Sequence, residues 1–148
     1  MSVVNYLKVQ LLSEDATLPQ RSDDGAAGLD LFAAENITIF PGEIVIVNTQ
    51  IAIEMETGIY GRIASRSGLA AEYGLIVLGG VVDSSYRGPI KVIMTNLGTS
   101  FYIVTRGERI AQLILEKYLH AIPVIVPHLT PTGRGDRGFG SSGSSVMV

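Results

Sequence analysis

At 148 residues, with 47% hydrophobic and 17% charged side chains, the chain has the length and composition of one globular domain with a real core, not of a disordered polymer. It contains no cysteine, which excludes disulfides, thiolate metal sites and cysteine nucleophiles together and fits a reducing compartment. The formal charge of −3 hides an asymmetry: residues 1–58 carry nine acidic side chains against Lys8 and Arg21, and residues 59–148 carry nine basic against five acidic.

Eight of the eleven basic residues are arginine, the side chain whose planar fork suits phosphate oxygens. They form no run or stripe, so a broad nucleic-acid face is not expected. The start, Met1-Ser2-Val3-Val4-Asn5-Tyr6, has no basic segment followed by an apolar run, and no stretch reaches the roughly 20 apolar residues of a membrane span. The expectation is a soluble intracellular protein, in cytoplasm or nucleus, without membrane contact.

In chain order, short runs rich in isoleucine and valine recur between turn residues. Tyr6 to Leu12, Gly28 to Ala33, Ile37 to Phe40, Glu43 to Asn48 and Ile51 to Met55 read as strands. Within the fourth, Ile44 and Ile46 alternate with neighbours facing the other way; in the fifth, Ile51, Ile53 and Met55 share a face. Tyr60 to Ala64, Leu75 to Leu78, Ile90 to Asn96, Phe101 to Val104, Ile110 to Tyr118 and Ile122 to Val126 continue the series. Pro41-Gly42, Thr57-Gly58 and Leu97-Gly98 are turns. Between them, Ser67-Gly68-Leu69-Ala70-Ala71-Glu72-Tyr73-Gly74 reads as a helix of about two turns, with a serine able to cap and a terminating glycine. So many short strands without alternating helices predict an all-β sandwich, barrel or jelly roll. From Gly133 to Ser145 the chain is nearly all glycine, serine and charge, with Phe139 the one large apolar residue. The division expected is a domain over 1–130 and a flexible arm over 131–148.

Two segments spell GxGxxG, Gly133 to Gly138 and Gly138 to Gly143, but neither leaves room for the following helix and acid of a dinucleotide site. No Gly-Lys-Ser/Thr occurs. His120 and His128, in the last apolar run and just after it, stand without cysteine or an HExxH pattern, which argues against zinc. Four local features remain. Arg66-Ser67-Gly68 at a helix start could hold a phosphate, though on local grounds a capped short helix beside an exposed arginine is the favoured reading. Asp83 closes Gly79-Gly80-Val81-Val82 before Ser84-Ser85-Tyr86-Arg87-Gly88, which also reads as an ordinary hairpin turn. Asp30, between Leu29 and Leu31, and Gln112, inside Arg109 to Ile114, both read as solvent-facing strand residues.

Taken in order, five segments form a set: Ala27-Gly28-Leu29-Asp30-Leu31, Gly61 to Ala70, Gly80 to Gly88, Gly107 to Ile114 and Arg134 to Gly143. They resemble the five motifs of the trimeric dUTPase family, in order and spacing, over about Lys8 to Gly143. The resemblance implies a jelly roll assembled as a homotrimer, in which each active site draws on three chains. Motifs one, two and four would come from one subunit, motif three from a second and the C-terminal motif from the third. It implies hydrolysis of dUTP to dUMP and pyrophosphate, limiting uracil in DNA and supplying dUMP for thymidylate synthesis. Asp83 would be the general base for water attack on the α-phosphorus. Mg²⁺ would be held by the substrate phosphates, with Asp30 reaching it through water. Arg66, Ser67, Gly68 and Gln112 would bind phosphates, joined by Arg134, Gly140, Ser141 and Ser142. Gly80 and Lys91 would offer backbone groups to uracil, Tyr86 would pack under the deoxyribose, and Phe139 would stack on the base as a lid. Ser65, Arg137 and Ser85 depart from the family pattern, where proline, glycine and an acid are usual; none is assigned to the chemistry. A dCTP deaminase or bifunctional relative, and a nucleotide-binding regulator on the same fold, are the alternatives.

Overall fold

The structure is a computed structural model and describes residues 6–138. Eleven strands and one helix follow in order: β1 (Lys8–Leu11), β2 (Leu29–Phe32), β3 (Ile37–Ile39), β4 (Ile44–Asn48), β5 (Ile51–Glu54), β6 (Ile59–Ala64), α1 (Ser67–Tyr73), β7 (Leu75–Leu78), β8 (Val81–Val82), β9 (Lys91–Asn96), β10 (Tyr102–Val104) and β11 (Arg109–Lys117). The strands form a four-stranded sheet, β2-β11-β6-β8, a three-stranded sheet, β4-β9-β7, and two ribbons, β1-β5 and β10-β3, with every ladder antiparallel. Neighbours in a sheet are mostly distant in sequence, as a jelly roll requires.

Period-two patterning builds the core. Leu31, Ile63 and Leu113 from the larger sheet meet Val45, Val47, Leu75, Val92 and Met94 from the smaller one, joined by Ile39, Ile51, Ile90, Val104 and Ile110. In β4 the alternation puts Val45 and Val47 inside and leaves Ile44 and Ile46 more than half exposed, so this strand is apolar on both faces. In β5 Ala52 is buried beside Ile51 and Ile53, so both faces are covered and alternation does not show in burial.

Three expectations need correction. Ile122 to Val126 forms no strand: the chain leaves β11 at Lys117, and Ile122, Val124 and Ile125 lie exposed with no strand among the described residues to pair with their backbone groups. His120 and His128 are exposed on this same irregular stretch. Ser67 does not cap α1; the N-cap is Arg66, with extended backbone and no side-chain cap bond, while Gly74 ends the helix in the left-handed conformation as expected. Residues 81 and 82, part of a run not read as a strand, form β8 on the edge of the larger sheet.

Candidate active site

The first group of predicted residues gathers where β2, β6 and β11 run together. Asp30 lies opposite Gln112 in the β2–β11 ladder, and Gln112 lies opposite Ala64 in the β11–β6 ladder. Asp30 is not a solvent-facing residue: it is 8% exposed, and its carboxylate is flanked by two arginines. Arg66 Nε stands 3.3 Å from one oxygen and Arg109 Nε 3.7 Å from the other. A buried carboxylate without such partners would carry a large desolvation cost. Arg66 also donates through Nη1 to the Arg109 carbonyl at 3.1 Å. A bulge interrupts the ladder between Arg109 and Ala111 and re-aims this end of β11.

Gln112 is not simply solvated either. Its Nε2 donates to the Ser65 carbonyl at 2.9 Å, and Ser65 Oγ accepts from the Val77 backbone at 2.8 Å. The segment entering α1 is thus tied to β11 on one side and β7 on the other. Ser67 and Gly68 follow it, both exposed.

The second group surrounds a recess of about 280 Å³ between β8 and the smaller sheet. Gly80, Asp83, Tyr86 and Lys91 all line it, with Ile46, Val77 and Ile93 as apolar wall. Gly79 and Gly80 both have positive φ, which turns β7 into β8 within two residues. The Gly80 carbonyl accepts from Ile63 at 2.7 Å, and a Cβ on Gly80 would stand 2.5 Å from the Ile63 oxygen, so only glycine lets this turn sit against β6. Asp83 opens the following turn, accepting from the Tyr86 backbone at 3.1 Å. Its carboxylate has no hydrogen bond or ion pair among the described residues. Tyr86 folds back and donates its hydroxyl to the Pro89 carbonyl at 3.1 Å. A second recess of about 430 Å³ lies on the other side of the hairpin, between Asp83, Ser84, Ser85, Tyr60 and Tyr118. Beside Tyr60, Glu116 is held below the usual carboxylate range by its hydrogen bond from Arg62 and then by that from the Tyr60 hydroxyl, and the hydrogen bond to Glu116 and then burial push Tyr60 up.

Arg134 is exposed on the arm, its Nε donating to the Arg137 carbonyl at 2.8 Å, and it meets neither group. Phe139, Gly140, Ser141 and Ser142 lie outside the described residues. The recess holding Asp83 is lined by none of Asp30, Arg66, Ser67, Gly68 or Gln112. One chain therefore holds the predicted residues in two separate groups. Sequence reasoning missed Arg109, whose link to Asp30 depends on strand register, and Gly28, where a Cβ would stand 2.9 Å from that of Gln112. The signal available for Gly28 was a glycine inside an apolar strand run, which marks close approach.

A family model for dUTPase matches residues 14–143. The chain belongs to the dUTPase family. It is 47% identical over 140 residues to the deoxyuridine 5'-triphosphate nucleotidohydrolase of Paramecium bursaria Chlorella virus 1, covering 95% of this chain and 99% of that one. To the mouse (Mus musculus) protein of the same name it is 45% identical over 139 residues, covering 94% and 86%. Among solved structures it is similar to the dUTPase of Staphylococcus bacteriophage 80alpha with dUPNHPP, with a TM-score of 0.90, 28% identity and coverage of 95% and 99%. A mutant dUTPase from phage phi11, described as coordinating a structural Mg(II) ion, superimposes with a TM-score of 0.81 at 25% identity, covering 86% of this chain and all of that one. The jelly roll inferred from the motifs is the fold of this dUTPase-family chain.

Proposed function

We propose that this dUTPase-family chain hydrolyses dUTP to dUMP and pyrophosphate, with Asp83 as the general base. The observation that carries the reading is the recess in which an unpaired Asp83 carboxylate, the Tyr86 ring and the Gly80–Lys91 backbone converge. At about 280 Å³ it is near the lower bound of small-molecule sites. Its lining carries no arginine, so in this reading the phosphates extend beyond it, toward positive groups such as Arg66.

In this reading uracil meets backbone groups at Gly80 and Lys91, a pattern that leaves cytosine mismatched, and buried unpaired polar groups discriminate strongly. Tyr86, folded onto Pro89, packs beneath the deoxyribose and collides with a ribose 2′-hydroxyl. Asp83 takes the proton of the water that attacks the α-phosphorus, a contribution of about 10²–10⁴ in rate. Arg66, Ser67, Gly68 and Gln112 orient the phosphate chain. Residues 131–148 act as an arm that closes the site, with Arg134, Gly140, Ser141 and Ser142 on the phosphates and Phe139 over the base, excluding water.

The described residues contain no cluster of three acidic or histidine side chains that could cage a metal. That fits Mg²⁺, which keeps waters and substrate phosphates as ligands and needs one or two carboxylates. Asp30 is the carboxylate available, and each of its oxygens retains lone-pair capacity beside its arginine for an outer-sphere contact. When bound, the ion supplies charge neutralisation on the pyrophosphate leaving group.

The two half-sites on one chain support assembly as a homotrimer with shared sites. So do the exposed Ile122, Val124, Ile125 and Leu129 and the apolar outer face of β4, surfaces that a lone chain would leave in water. The test is pyrophosphate release from dUTP with Mg²⁺, with dCTP, dTTP and UTP as controls. Activity confined to dUTP and abolished in Asp83→Asn is expected. No release from any nucleotide by the unmodified protein refutes the reading. Sharing is tested by mixing. Asp83→Asn and Arg66→Met chains, each inactive alone, are co-refolded in equal amounts. If a site takes its phosphate group from one chain and its base from the next, about a quarter of sites are intact and activity returns to about that fraction. No recovery means that each chain builds its own site.

A further inference from the structure

We infer that Asp30 is a positioning residue for Arg66: it fixes the guanidinium that meets the substrate phosphates, and does so with or without metal. The inference rests on the dUTP-hydrolysing reading of this site and adds a role for Asp30 beyond an outer-sphere contact to Mg²⁺.

Three observations carry it. The first is where the carboxylate is rooted. Asp30 exchanges backbone hydrogen bonds with Gln20, at 2.7 Å through its own N–H and 3.4 Å through its carbonyl, and faces Gln112 on the opposite side. A strand residue paired on both edges has little freedom, so its side chain is a fixed anchor.

The second is what the anchor holds. Arg66 is gripped at two points: Nε by Asp30 Oδ1 at 3.3 Å, and Nη1 by the Arg109 carbonyl at 3.1 Å. An ion pair and a hydrogen bond on one guanidinium restrict it more than either contact alone. Nη2 and the remaining N–H groups are left to a ligand.

The third is the sharing of charge. Arg109 Nε faces the second oxygen of Asp30 at 3.7 Å, so one buried carboxylate serves two guanidinium groups and the trio keeps a net positive charge. Asp30 therefore holds Arg66 in place without cancelling the positive field that a triphosphate would meet. Arg66 is only about a third exposed, against half for Arg109, consistent with Arg66 being the more constrained of the two.

The experiment separates this role from one exerted through the metal. Affinity for dUTP is measured by calorimetry in EDTA, with hydrolysis and its Mg²⁺ half-saturation measured separately, for the intact full-length chain, Asp30→Asn, Arg66→Lys and the double variant. Asp30→Asn keeps the shape but loses the ionic grip. Its metal-free Kd is expected to rise on the order of tenfold to a hundredfold, as when a charge-assisted hydrogen bond is misaligned. The Mg²⁺ half-saturation is expected to rise as well, through the lost outer-sphere contact, so the metal-free Kd is the readout that isolates the positioning role. Arg66→Lys keeps the charge but cannot reach both anchors, so it is expected to lose as much, and adding Asp30→Asn to it is expected to change little more. Unchanged metal-free affinity in Asp30→Asn, or losses that add in the double variant, overturns the inference. Should Asp30→Asn fail to fold, Arg66→Lys decides: affinity equal to the unmodified protein overturns the inference, and a loss like that of Arg66→Met supports it. Failure of the unmodified protein to bind dUTP at all would instead remove the functional reading beneath it.

Discussion

Gly28 links the core of this dUTPase-family fold to the segment entering α1, the proposed phosphate loop, and replacing it by alanine tests that link. Gly28 is buried, and its φ lies outside the left-handed region, so alanine there incurs no backbone strain and any cost is packing. The new methyl would stand 2.5 Å from Gln112 Oε1, 3.2 Å from its Cδ and 2.9 Å from its Cβ. The carboxamide can swing aside. The Cβ cannot, because Gln112 is laddered to Asp30 on one edge and to Ala64 on the other. Overpacking of this kind costs about 1–3 kcal/mol. A displaced carboxamide also gives up its bond to the Ser65 carbonyl, a further loss of about 1 kcal/mol. The sum, roughly 2–4 kcal/mol, corresponds to a fall in Tm of roughly 5–15 °C for a chain of this size. Urea unfolding and calorimetry read the stability, and KM for dUTP reads the loosened loop. Gln112→Ala alone is expected to raise KM. In combination the two substitutions are expected to cost less than their sum, because the shortened side chain leaves only the Cβ contact. A Gly28→Ala protein as stable as the original, or strictly additive losses, would refute the reasoning.

Two further outcomes are expected. Gly88 leaves room for the Tyr86 ring, since a Cβ there would stand 2.6 Å from Tyr86 Cζ and closer still to the hydroxyl; Gly88→Ala is therefore expected to turn the ring away and raise UTP hydrolysis relative to dUTP by about tenfold, which a ratio of kcat/KM values checks. The Tyr102 hydroxyl is pushed up by burial and then by the hydrogen bond it donates to Glu108. A folded-state value above the unfolded one of about 10 means that its contribution is complete below that pH and is lost as pH rises through the folded value. Absorbance titration is expected to show Tyr60 and Tyr102 ionising after the other tyrosines, and Tyr102→Phe to flatten the alkaline fall in stability; an unchanged alkaline slope would contradict the assignment.

Most of the strand order was legible because β-branched residues at period two, closed by glycine and proline turns, leave few alternatives. Leu75 to Leu78 and the helix ending at Gly74 read directly. What failed had a common cause: it depended on neighbours distant in sequence. Val81 and Val82 are too short to register as a strand until β6 lies beside them. Ile122 to Val126 has strand composition but, among the described residues, no strand pairs with it. Asp30 and Gln112 look like solvated strand positions locally; their partners, Arg66, Arg109 and the Ser65 carbonyl, are brought in by the β2–β11–β6 register. Five motifs in family order named the candidate site residues, but not which of them share a chain's own cavity.

That division can be traced to one strand. β6 pairs with β8 through Gly61 and Arg62 and with β11 from Ile59 to Ala64, so its two edges lead to different groups of candidate residues. Along the β8 edge the backbone reaches Gly80 and then Asp83; along the β11 edge it reaches Gln112, and β6 itself runs on into Ser65 and Arg66. A β-sheet holds its edges at a fixed spacing and twist, so the recess and the phosphate loop cannot close on one another by a small local motion. If both act on one triphosphate, the economical arrangement is a symmetric one, in which the recess of one copy faces the loop of the next. Rotational closure then gives every copy the same two contacts and leaves no half-site unused. The position of Asp30 has a consequence in such an assembly. Its grip on Arg66 lies wholly within one chain, so the phosphate-binding arginine is already aimed before a partner's Asp83 arrives, and assembly has only to bring two preformed halves together.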